Sequence, residues 1–177
     1  RICSEHLSAQ GVAFVSYNTY PGWRMRSTIR DVMLYHARQF EGAKMQVQQA
    51  RAVLDFIAQS TPREDSPYAK ELKAEVEMLR AQPDAYLYHE YLEEVNLPLY
   101  FHQFVERAGA RGLQYLGDAE FASMLPQNLA PAVAETLRKI APDAIRVEQY
   151  MDFLRNRPFR QTLLVHRDIA LQRNIDW

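Results

Sequence analysis

The sequence holds a single cysteine, Cys3, which excludes an intramolecular disulfide and any zinc site built on several thiolates. Such sparing use of cysteine fits a reducing compartment, and a cytoplasmic location is the expectation. No apolar run approaches the roughly 18 residues needed to span a bilayer. Charge of one sign is missing as well: Lys+Arg 21 stands against Asp+Glu 22, a net charge of -1. That balance leaves no electrostatic footprint for nucleic acid or an anionic membrane. The six glycines, at 11, 22, 42, 109, 112 and 117, form neither G-x-G-x-x-G nor a P-loop, and G-x-S-x-G is absent. None of the five histidines makes H-E-x-x-H; His89-Glu90 comes nearest, but Glu93 occupies the second histidine position. The chain has no self-contained catalytic motif.

What is present is 177 residues of 47% hydrophobic content, enough for one domain, or one and part of a second, with a buried core. The run Val12-Ala13-Phe14-Val15-Ser16-Tyr17 predicts a strand buried on both faces of a parallel sheet, followed by a turn over Asn18-Thr19-Tyr20-Pro21-Gly22. Ile29, Val32, Met33, His36, Ala37 and Phe40 recur with helical spacing, and Val47, Ala50, Leu54, Ile57 and Ala58 form a second stripe. A third helix is predicted to start at Ser66, as N-cap, with Pro67 at its first position. Pro83-Asp84 opens a fourth, with Tyr88, Tyr91, Leu92 and Val95 on one side; Phe101, Phe104, Val105 and Ala108 mark a fifth. A strand at 113–116, helices near 118–124, 131–140 and 143–156, and a final strand at 159–166 complete the order. The last helix has an apolar stripe at Val147, Tyr150, Met151 and Leu154. Strands so far apart must share a sheet to satisfy their backbone groups, which gives an α-rich α/β fold. The chain starts at Arg1 and stops at Ile175-Asp176-Trp177 after an apolar stretch, and reads as a piece of a larger polypeptide.

Three groups of residues are candidates for chemistry. The loop from Tyr17 to Arg24 lies where ligands bind in open α/β sheets, and Tyr17, Asn18, Tyr20, Trp23 and Arg24 are able to stack on or hydrogen-bond a substrate. The same aromatics would equally serve to pack the turn on neighbouring helices. His89 and Glu93, at i and i+4, have a metal-binding spacing, and with Glu90, Glu94 and His102 they suit acid–base work; a solvated helix face explains them as well. The third group is His36 with the aromatics Tyr86, Tyr88, Tyr91, Tyr100, Phe101 and Phe104. His36 reads as a hydrogen-bonded core residue, and the aromatics read as packing or as a docking surface.

Several strings carry a resemblance. They are Gly11-Val12-Ala13-Phe14-Val15-Ser16-Tyr17-Asn18-Thr19-Tyr20-Pro21-Gly22-Trp23, Met33-Leu34-Tyr35-His36-Ala37, Leu92-Glu93-Glu94-Val95-Asn96 and Tyr100-Phe101-His102-Gln103-Phe104. Met124-Leu125-Pro126-Gln127-Asn128 and Phe153-Leu154-Arg155-Asn156-Arg157 with Phe159-Arg160-Gln161-Thr162-Leu163-Leu164 continue the series. Together they resemble the regulatory-domain family of bacterial class I S-adenosylmethionine-dependent methyltransferases. The resemblance implies the C-terminal part of a class I sheet, about three strands with large helical insertions, whose last strand is antiparallel. Residues 1–23 would be the last parallel strand and active-site loop, 24–157 a helical regulatory or cap region holding the strand near 113–116, and 158–177 the closing antiparallel strand.

The same resemblance implies an N-terminal methyltransferase domain in the same polypeptide as partner, an unknown methyl acceptor, and S-adenosylmethionine bound by the parent protein but not by this chain alone. No catalytic residue carries over. The expected role is a regulatory or substrate-capping domain, inactive in isolation, with the substrate contacts drawn from Tyr17, Asn18, Tyr20, Trp23 and Arg24 and from Glu94, Asn96 and His102 within 93–102. The rival is a non-catalytic helical module that docks a partner protein through residues 86–104.

Overall fold

The computed structural model describes residues 2–172; the predicted C-terminal stretch Ile175-Asp176-Trp177 lies outside them. In chain order the elements are α1 Ile2–His6, β1 Ala13–Asn18, α2 Trp23–Ala37, α3 Ala43–Ser60, α4 Pro67–Arg80 and α5 Asp84–Leu87, the last running into a π turn at Tyr88–Leu92. Then come α6 Phe101–Gly109, β2 Leu113–Asp118, two 3-10 turns (Phe121–Met124 and Pro126–Asn128), α7 Pro131–Ile140, α8 Ala144–Arg155 and β3 Phe159–His166. The chain divides into two compact units, residues 1–22 with 98–177, and residues 23–97.

The first unit is built on a three-stranded sheet of order β1-β3-β2. The three predicted strand runs are thus neighbours in one sheet. β3 runs antiparallel to both others, pairing Ala13 with Leu164 and Asn18 with Phe159 on one side, and Leu113 with His166 on the other. A bulge between Tyr115 and Gly117 shifts the β2 register. Ala13, Ala108, Leu113 and Leu164 form one apolar nucleus, with Cys3, Leu7, Val15 and Phe104 packed around it. β1 departs from the expectation of a strand buried on both faces. Ala13 is buried while Phe14, its neighbour on the opposite face, is 56% exposed, so β1 is covered on one face only at this point.

The second unit is a helical layer of α2 to α5. Its core is Trp23, Ile29, Met33, Leu54, Leu72, Val76, Leu79, Leu87 and Tyr91, all nearly fully buried; all but Trp23 and Leu87 come from the stripes predicted for the first four helices, whereas Tyr68 and Tyr88 of those stripes are exposed. The start of α4 is as expected: Ser66 Oγ accepts from the Ala69 N–H at 3.1 Å, with Pro67 in the first turn. The fourth stretch ends sooner than its periodicity suggests. Its helical conformation stops at Leu92, and Val95 is exposed beyond it.

α8 is rotated from its predicted face. Glu148, Gln149, Met151 and Asp152 are its buried residues, whereas Tyr150 and Leu154 are exposed. The reason is electrostatic: Arg160, buried on β3, draws two acidic side chains of α8 inward.

Candidate functional site

The loop that follows β1 is held on two sides. Thr19 N–H donates to the Pro158 carbonyl (2.9 Å) and Gly22 N–H to the Arg157 carbonyl (3.1 Å). Thr19 Oγ1 and Tyr20 N–H both donate to the Leu99 carbonyl, while Leu99 N–H donates back to Asn18. Gly22 is required here, since a Cβ would come within 2.5 Å of the Asn156 carbonyl oxygen and of Pro158 N. The Leu99 bonds fix the entry to α6 beside Tyr20, and the Tyr100 backbone N–H is capped by Gln103 Oε1 at 3.2 Å. Around this junction the rings form a chain: Tyr20 to Tyr100 at 5.4 Å, Tyr100 to His102 at 5.7 Å and Tyr100 to Phe153 at 5.7 Å between centroids. Tyr150 extends it at 6.4 Å from Phe153.

Of the predicted site residues, Tyr17, Asn18, Tyr20 and His102 belong to the first unit, and Trp23, Arg24, Glu94 and Asn96 to the second. Tyr17 is engaged in packing: its ring stacks on Phe104 at 4.1 Å and its hydroxyl lies 3.2 Å from Thr162 Oγ1. Burial pushes that hydroxyl's pKa well above the usual tyrosine value. Asn18 and Tyr20 are half-buried and His102 is exposed.

In the second unit, Trp23 is 1% exposed and stacks on Tyr91, so its indole faces the core. Arg24 and Glu94 are exposed, and Asn96 donates from its amide to the Glu90 carbonyl at 2.8 Å. Glu93 and Glu94 line a polar cavity of about 510 Å³ with Leu34, Arg38, Gln46 and Tyr88. Arg30 fixes this edge by donating to the Glu93 and Glu94 carbonyls.

His89 lies 3.7 Å from Glu93, both exposed, and no group of three or more metal-ligating side chains occurs among the described residues. His36 is half-buried and pairs with Gln49 at 3.2 Å, as a core histidine does.

Beneath the ring chain lies an ion network that the sequence reading missed. Arg160, 1% exposed, binds Asp152 with two nitrogens (2.8 and 2.9 Å), Glu148 Oε2 at 3.0 Å and Asp118 Oδ2 at 3.3 Å. Its guanidinium also lies 3.7 Å over the Phe101 ring. Tyr115 donates to Glu148 at 2.7 Å, and Arg157 reaches Asp118 at 2.9 Å. Burial raises the Glu148 and Asp152 carboxyl pKa values above their ordinary range, against the pull of Arg160. The one sequence signal for this network was the i, i+4 spacing of Glu148 and Asp152 ahead of an arginine inside an apolar strand.

Comparison with known proteins gives the site a context. Residues 83–166 match the family described as the predicted methyltransferase regulatory domain. The uncharacterized protein RP789 of Rickettsia prowazekii is 45% identical over 99% of this chain, which spans 32% of that protein. The uncharacterized protein sll1526 of Synechocystis is 26% identical over 94% of this chain and 33% of its own length. The solved structure of PKMT2 from Rickettsia typhi is similar over 99% of this chain and 33% of that one, at 43% identity and a TM-score of 0.80. PKMT2 has also been solved in complex with AdoHcy, with the same coverage, identity and score. This chain therefore spans about a third of the length of these relatives.

Proposed function

We propose that the chain is the regulatory or substrate-capping part of an S-adenosylmethionine-dependent methyltransferase and does not transfer methyl groups alone. The observation that carries this reading is the likeness of nearly the whole chain to one third of PKMT2, a protein solved with AdoHcy. AdoHcy is what S-adenosylmethionine becomes when its methyl group leaves. The sheet supports the same reading. β1 and β2 point the same way with antiparallel β3 between them, and β1 presents an open edge and the exposed Phe14, suited to a further parallel strand from the rest of the polypeptide. In that arrangement residues 1–23 bring the last parallel strand and its loop to the active-site mouth, 24–157 supply the cap, and 158–177 close the sheet.

Methyl transfer is an in-line displacement, so the protein's part is positioning and exclusion of water. The acceptor would rest on Asn18, Tyr20, Tyr100 and His102, all in the first unit. Tyr17 and Trp23 would act through packing, as their burial suggests.

The test is transfer of label from [methyl-³H]S-adenosylmethionine to a total cell extract. The full-length protein is expected to label an acceptor and this chain alone to label none. Transfer by the chain alone would refute the capping role.

A further inference from the structure

His102 is the second residue of α6 and is exposed. Its backbone N–H donates to Gln149 Oε1 at 3.1 Å, and its ring Nδ1 lies 2.9 Å from the same oxygen. A backbone N–H only donates, so the Gln149 atom turned towards it must be the carbonyl oxygen. That oxygen has no proton to give, and the short contact to Nδ1 therefore requires the proton to sit on Nδ1. In a neutral ring this leaves a lone pair on Nε2, the opposite nitrogen. Gln149 is buried, and its own amide nitrogen makes no hydrogen bond among the described residues. A buried donor left unpaired is unfavourable, which marks this amide as held by what its oxygen does. The ring is held from the side as well, stacked on Tyr100 at an interplanar angle of 20°. Tyr20, Tyr150 and Phe153 continue that aromatic ledge, and Tyr150 and Phe153 are exposed.

We infer that His102 Nε2 is the proton acceptor for the methyl acceptor, and that Gln149 is the positioning residue that keeps the lone pair there. The inference rests on the methyltransferase reading above. The substrate is a nitrogen or oxygen nucleophile that still carries a proton. Its proton passes to Nε2, its electron pair forms the new bond to the methyl carbon, and the carbon–sulfur bond of S-adenosylmethionine breaks with its pair left on sulfur. AdoHcy departs, and the imidazolium returns its proton to water.

The experiment uses the full-length protein, [methyl-³H]S-adenosylmethionine and a total cell extract. His102→Gln is expected to slow transfer at saturating cofactor by about 100-fold, the lower range for a lost general base. AdoHcy binding should be unchanged in that variant. The rate of His102→Ala should be partly restored by free imidazole, which no structural role predicts. With ¹⁵N-labelled histidine, the wild-type His102 ring should carry its proton on Nδ1, and Gln149→Leu should move population to the other tautomer and lower the rate. The assignment is overturned if His102→Gln transfers label within threefold of wild type, or if the wild-type ring is protonated on Nε2. A wild-type protein that labels nothing would instead remove the methyltransferase reading, and this role with it.

Discussion

Arg160 shows what one buried charge does to its surroundings. Three carboxylates, Asp118, Glu148 and Asp152, face two guanidiniums, Arg157 and Arg160, in a region closed to water. Removing one partner of such a pair leaves uncompensated charge, so Arg160→Met is expected to destabilise the fold by about 3–5 kcal/mol in chemical denaturation. Glu148 and Asp152 have pKa values raised from ordinary values of 4.5 and 3.8, with burial the leading cause. A raised folded-state pKa means the folded protein holds its proton more tightly than the unfolded chain. The stabilisation is therefore complete below the ordinary carboxylate range and is lost as pH rises through the folded value. Melting temperature should fall as pH rises above about 4, and Glu148→Gln should flatten that fall, since glutamine still accepts from Tyr115. A steeper fall in the variant would contradict the assignment. Beyond the i, i+4 spacing of Glu148 and Asp152 and an arginine inside an apolar strand, none of this was legible from sequence, where an arginine or a glutamate is by default a surface residue. The burial of Trp23 was equally hidden, because a tryptophan beside a turn looks the same whether it faces a ligand or a core.

At the scale of elements, local chemistry was readable wherever a start or stop signal decided it. Ser66-Pro67 marks the start of α4, and Ser66→Ala should cost about 1 kcal/mol through loss of the cap to Ala69. Gly22→Ala should cost more, about 1–3 kcal/mol, because the added methyl meets the backbone of 156–158 and the loop after β1 must shift. Urea unfolding of both variants checks the order, and a silent Gly22→Ala would show that the loop is not clamped. Periodicity misled where tertiary contacts overrode it. In α8 the apolar stripe at Tyr150 and Leu154 faces outward while acidic residues turn in. In the stretch after Pro83 a π turn ends the helical run at Leu92 and leaves Val95 outside.

At the scale of the whole molecule, the sharing of one sheet by three distant strands followed from the need to pair their backbones, and the antiparallel course of the last from the family resemblance. The division into units at 22/23 and 97/98 was not visible, since no linker composition marks either point. Nor was it visible that Tyr20 and Trp23, or Asn96 and His102, fall in different units, because sequence proximity had joined them. The central claim is that this chain caps and selects while the rest of the polypeptide holds the cofactor. Calorimetric titration of AdoHcy into this chain and into the full-length protein tests it most directly. The account predicts saturable binding by the full-length protein and none by the chain alone; tight binding by the chain alone would contradict it.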